Sequence, residues 1–128
     1  MTLVLPLRTR SVANLREHWA ARARRVKRER SLVAMLWPAP WRRRKWRFPL
    51  EVLLVRQAPS NGLDDDNLRS ATKGVRDEIA RQLGVDDRDA RVRWEYSQAR
   101  GPYSVLVYIE ELGEAEKQPS LRARRREP

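Results

Sequence analysis

Hydrophobic and polar residues change their period repeatedly along this chain, and each period predicts an element. The apolar run Leu3 to Leu7, broken at Pro6, suits a first strand that ends there or runs along an edge, since proline cannot donate to a ladder. From Ser11 the period lengthens, with Val12, Leu15, Trp19, Ala23, Val26 and Val33 recurring at helical spacings. This predicts a first helix, basic and amphipathic, with Ser11 as its N-cap and Trp19 in the core rather than serving as a stacking platform. Two prolines within Trp37 to Arg47 end it and predict a loop of cations interleaved with indoles. Leu50, Val52 and Leu54 then alternate with Glu51 and Leu53 before Arg56, apolar on both faces as an interior strand is. Leu68, Thr72, Val75, Ile79 and Leu83 mark one face of a second helix that Gly84 stops. Finally, Val92, Trp94 and Tyr96 alternate with polar neighbours, as do Val105, Val107 and Ile109 after the turn at Ala99 to Pro102. That pattern predicts a β-hairpin.

The resulting order, β-α-β-α-β-β, predicts an α+β fold, a single domain with a mixed sheet and two main helices. A chain of 128 residues, 41% hydrophobic, supports one core and has little room for a second. Residues 1–112 are expected to form the domain. The basic stretch 113–128 has little to bury and is expected to be disordered.

Charge narrows the partners. With 28 basic residues against 17 acidic ones, a net charge of +11 and a pI near 11.2, the chain suits a polyanion, nucleic acid ahead of a membrane surface. Half of the basic residues lie in the first 47 positions, where cations beside indoles suit phosphate contact by the charges. For the tryptophans of that stretch, core packing and base stacking both stay open. No cysteine is present and His18 is the one histidine, which excludes disulfides and Cys- or His-rich metal sites. Any metal would be held by oxygen. No apolar run approaches the roughly 20 residues of a membrane span, and the first residues lack the character of a secretory leader, so a cytoplasmic protein without membrane contact is expected.

Against this basic background, all seven aspartates fall between Asp64 and Asp89. Two carboxylates about 4 Å apart repel by roughly 4 kcal/mol at an effective dielectric near 20, so a fold that gathers them needs a proton, a base or a metal ion. Asp64, Asp65 and Asp66 follow a strand and open a helix, where backbone N–H groups favour anions. At about 100° per residue, Asp66, Lys73 and Asp77 fall near one line on the side opposite the packing face, with Ser70 close to it. A calcium EF-hand does not fit, because counting from Asp64 puts Leu68 and Arg69 at a ligand position and at the glycine position. Glycoside hydrolysis by an aspartate pair fits less well, because so basic a protein suits a polyanionic substrate better than a neutral sugar. Helix capping alone needs a single Asp or Asn, and three consecutive aspartates exceed it.

Asp64-Asp65-Asp66-Asn67-Leu68, a lysine on the following helix, Asp77, and then Gly84-Val85-Asp86-Asp87 resemble the RusA family of Holliday junction resolvases, common in phages and prophages. The resemblance follows the element order over most of residues 1–110. It implies a homodimeric endodeoxyribonuclease that cleaves branched double-stranded DNA with Mg²⁺, or Mn²⁺ in its place, in the cytoplasm of a bacterial host cell. Carried over by position, Asp64, Asp66 and Asp87 would be the metal-binding and catalytic acids and Lys73 the catalytic basic residue near the scissile phosphate. Asn67, Asp86 and Asp77 would support them. Ser11-Val12-Ala13-Asn14 is similar to a loosened Pro-Ser-x-Asn segment of the family, which adds Asn14 to the DNA contacts expected from Arg22 and Arg25 on the first helix and from Arg42, Arg43, Arg44 and Lys45. The lysine departs from the family spacing. Ser70 stands four residues after Asp66, and Lys73 lies seven after it, on nearly the same helix face but about 4.5 Å further along the axis. Two other readings stay open: a RusA-like DNA-binding protein without nuclease activity, and an adaptor whose acidic face docks a basic protein.

Overall fold

A strand that is apolar on both faces must be covered on both faces and paired on both edges, and β2 (Leu50–Ala58) is such a strand. The computed structural model describes residues 2–9, 19–60 and 62–113. Around β2 it arranges β1 (Thr2–Leu5), α1 (Trp19–Leu36), α2 (Ala39–Arg43), α3 (Asp65–Ala71), α4 (Lys73–Leu83), β3 (Val92–Arg100) and β4 (Ser104–Glu111). The sheet order is β1-β4-β2-β3, with β2 parallel to β3 and antiparallel to β4. This is the mixed sheet of an α+β domain. The expected hairpin is corrected: β3 and β4 do not pair, because β2 lies between them. The link at Gly101 passes over the end of β2, where Gly101 N–H donates to Ala58 O at 3.2 Å and an added Cβ would come within 2.8 Å of the Gln57 side chain.

One register level shows how the core is built. Leu3 pairs with Val107, Val107 with Leu54, and Leu54 with Tyr96, a row across all four strands that is buried beneath the helices. Leu68, Thr72, Val75, Ile79 and Leu83 are buried as their spacing predicts. The second helix is divided, however, at Thr72 (φ −104°, ψ 5°), whose hydroxyl donates back to Leu68 O at 2.9 Å. Such back-bonding competes with the helix ladder and bends it. Gly84 ends α4 in the left-handed region (φ 76°), which a residue without Cβ adopts at little cost.

Two expectations about the basic half change. The stretch after Trp37 is not wholly a loop. Pro38 and Pro40 stand at the start of α2, where a missing N–H costs nothing, and Trp37 and Trp41 are buried with ring centroids 5.0 Å apart. Trp19 is not in the core but 76% exposed. The cause is the rotation of α1: Arg25, Glu29 and Val33 form its buried stripe, and Trp19 lies about 120° around the helix from Arg25. The expected N-cap Ser11, with Val12, Asn14 and Leu15, and the tail from residue 114 lie outside the described residues. Among the described residues no helix is long and apolar enough to cross a membrane.

Candidate functional site

The acidic residues divide between the two ends of the crossover that joins β2 to β3. At its start Asp64 is the N-cap of α3, its Oδ1 accepting from Asn67 N–H at 2.8 Å, and Asp65 and Asp66 lie exposed in the first turn. Gln98 on β3 fixes this mouth. Its Oε1 accepts from Leu63 N–H at 2.7 Å and its Nε2 donates to Leu63 O at 2.6 Å, so the residue before Asp64 is tied to the sheet by two bonds. Behind it, buried Arg56 donates to Gln98 Oε1 at 3.4 Å and to Thr9 Oγ1 at 2.9 Å. Gly62 leaves room for the amide, since a Cβ there would come within 3.0 Å of Gln98 Oε1.

A second fastening holds the other end. Arg76 on α4 donates from Nη1 to Tyr96 Oη and from Nη2 to Asp87 O, both at 2.8 Å, with its guanidinium 4.7 Å from the Trp94 ring centroid. The loop after α4 is thereby folded back along the helix. Asp86 Oδ1 accepts from Arg88 N–H at 2.9 Å, which holds its carboxyl below the usual range, and hydrogen bonding with Asp87 adds to the effect. Asp89 is held at about 2, first by the side-chain bonds from Arg91 and then by Arg91 N–H. Asp86 and Asp87 share a groove of about 690 Å³ with Lys73, Asp77, Arg30 and Arg88. Within it Lys73 Nζ lies 3.3 Å from Asp77 Oδ2, an exposed i,i+4 pair that leaves the ammonium open to solvent.

Lys73 and Asp77 are therefore brought to Asp86 and Asp87, whereas Asp64 and Asp66 stand toward the opposite end. Asp66 stands in the first turn of α3 and Lys73 at the start of α4, beyond the break at Thr72. The carboxylates are hard oxygen donors of the kind that Mg²⁺ takes. Among the described residues, no group of three or more His, Cys, Asp or Glu side chains is gathered where it could hold a metal ion. No protein-family model matches this chain, and a search of curated proteins finds no match either.

The basic residues separate into roles. Arg22, Arg43 and Lys45 are exposed. Arg42 donates to Ala34 O at 2.6 Å and Trp37 O at 3.3 Å, closing the last carbonyls of α1. Arg44 binds Glu111 and lies 5.2 Å from the Trp46 ring centroid. Arg25 is corrected as a DNA contact, because it is buried and paired with Glu29 at 3.4 Å. Asn14 lies outside the described residues. Sequence reasoning missed Gln98 and Arg76, which stand in a strand and a helix with no local pattern that marks them.

Proposed function

We propose that this chain is a RusA-like, Mg²⁺-dependent endodeoxyribonuclease that cleaves branched DNA as a homodimer. The observation that carries the reading is the pair of fastened acidic ends: Gln98 and Arg76 each tie an aspartate-bearing loop to the sheet, in a protein of net charge +11. Loops that only solvate a surface need no such support, whereas a phosphodiester site must hold its groups in place. Asp64 and Asp66 of one copy and Asp87 of another are the proposed metal holders. Bound there, Mg²⁺ would supply an activated water and neutralise charge on the phosphate. Lys73, solvent-open beside Asp77 in the groove that also holds Asp86 and Asp87, would bear on the phosphate electrostatically. Exposed Arg22, Arg43 and Lys45 would neutralise the DNA arms.

The placing of the acids at both ends of the crossover supports a dimer. Both acidic ends belong to one crossover, so a twofold axis across it would set the start of one crossover against the end of its partner's. The direct test is cleavage of a synthetic four-way junction with Mg²⁺ by wild type and by Asp66→Asn. The variant should lose about a hundredfold or more in rate. Undiminished cutting by Asp66→Asn would remove Asp66 from the site.

One observation favours a second reading, a RusA-like DNA-binding protein without nuclease activity: in a single chain the described carboxylates do not converge in a group of three. It predicts tight, salt-sensitive DNA binding that needs no divalent ion, and no product with Mg²⁺ or Mn²⁺. A rise in melting temperature with Mn²⁺ that Asp64→Asn abolishes would decide for the nuclease.

A further inference from the structure

Turning Arg25, Glu29 and Val33 inward leaves Trp19 and Ala23 exposed and Val26 half-buried, and these three do not lie on open ground. Trp19, Ala23 and Val26 line a groove of about 630 Å³ between α1 and α4, a volume within the range of ligand sites. Its rim is cationic, with Arg22, Lys27, Arg30 and Arg81. The acid within it, Glu78, is buried and already satisfied: Arg30 donates to its Oε1 at 3.4 Å, and Arg81 and Gln82 donate to its Oε2 at 2.9 and 2.8 Å. Burial pushes the Glu78 carboxyl up, but these hydrogen bonds and the Arg81 charge outweigh it and hold it below its ordinary value. The groove therefore presents positive charge around an apolar floor. At 76% exposure, Trp19 offers an indole where Trp37 and Trp41, 2% and 3% exposed, cannot.

We infer that this groove binds an unpaired stretch of DNA, with a base stacked on Trp19 and the flanking phosphates on Arg22, Lys27, Arg30 and Arg81. The chemistry discriminates between strands and duplex. An intact duplex hides its base faces and offers phosphates alone, so the rim would serve both forms but the indole only the single strand. An acidic peptide would use the rim and leave the indole without a planar partner. Branched DNA exposes unpaired bases where its strands part, which gives the groove a place beside the proposed cleavage. The inference does not depend on cleavage.

The experiment uses the full chain in EDTA, so that it reads binding and cannot be confused with failure of the nuclease reading. Affinities are measured by fluorescence anisotropy for a labelled oligo-dT of about 15 nucleotides and for a duplex of equal length. Trp19→Ala should weaken oligo-dT binding about tenfold or more and leave duplex binding within about twofold, and Trp19→Phe should restore most of the loss. Acrylamide should quench Trp19 in the free protein, a component absent from Trp19→Phe, and oligo-dT should protect it. Equal loss for both DNA forms, Trp19→Phe as weak as Trp19→Ala, or an indole already shielded in the free protein by the chain before it would each overturn the proposal. Tighter binding of oligo-U than oligo-dT would overturn the assignment to DNA.

Discussion

At Gly74 an added Cβ would come within 2.9 Å of the Glu29 carboxylate and 3.3 Å of Val26 Cγ1, so α1 rests on α4 through the absence of a side chain. Glu29 is itself buried and paired with Arg25, which limits how far it could give way. Single residues also set the acid response of the loop before β3. Asp89 accepts from Arg91 Nε, Nη2 and N–H, and its pKa falls from 3.8 to about 2. A carboxyl depressed in the folded state stabilises above its unfolded pKa, and that contribution is lost as pH falls through the folded one. The Asp89 carboxyl carbon should accordingly titrate with a midpoint near 2 by NMR. The stability difference between wild type and Asp89→Asn should stay level above about pH 4 and shrink below it. A midpoint at the ordinary value would show that the Arg91 contact does not form in solution.

At the scale of elements, the crossover carries acids at both ends while β3 and α4 hold those ends in place. Gln98 makes two bonds to one residue of the loop before α3, and it is the half-buried side of β3 that makes them possible. Gln98→Ala should therefore lower unfolding free energy by about 1–2 kcal/mol in urea denaturation. Junction cleavage should fall further than that loss of folded protein accounts for, because Asp64 and Asp66 lose their fixed platform. Cleavage that declines only in step with stability would reduce Gln98 to a structural residue. The elements themselves were largely legible. Period and stop signals located β2, the buried face from Leu68 to Leu83 and the Gly84 terminus, because each depends on residues close in sequence. The hairpin was misread since a turn between two alternating runs looks the same locally whether the strands pair or another strand comes between them. Which occurs depends on β2, some 40 residues away in chain order.

For the whole molecule, the separation of Asp64 and Asp66 from Asp86 and Asp87 turns oligomeric state into a question about the site. If two copies complete each other, mixing Asp66→Asn with Asp87→Asn protein should restore junction cleavage. In the mixed dimer both changes fall in one site and the other site is intact, so activity should approach about half that of wild type per mixed dimer. Two inactive proteins that stay inactive after subunit exchange, with exchange verified by a tagged partner, would place the whole site within a single chain. The strongly basic charge acts at the same scale and would raise affinity for DNA in every form of the protein. Comparisons of variants therefore hold only at matched salt.

The sequence by itself determined the α+β class, the interior position of β2, the inward face of the second helix and the concentration of aspartates along and beside that helix. Those features follow from periodicity and from signals within a few residues of one another. Tertiary structure alone decided the strand order, the rotation of α1 and the fastening of both acidic loops by Gln98 and Arg76. The α1 rotation is the clearest case. Its apolar spacing allowed more than one face to turn inward, and the Arg25–Glu29 pair could be buried there because each side chain neutralises the other. Trp19, expected inside, was left facing solvent in a cationic groove.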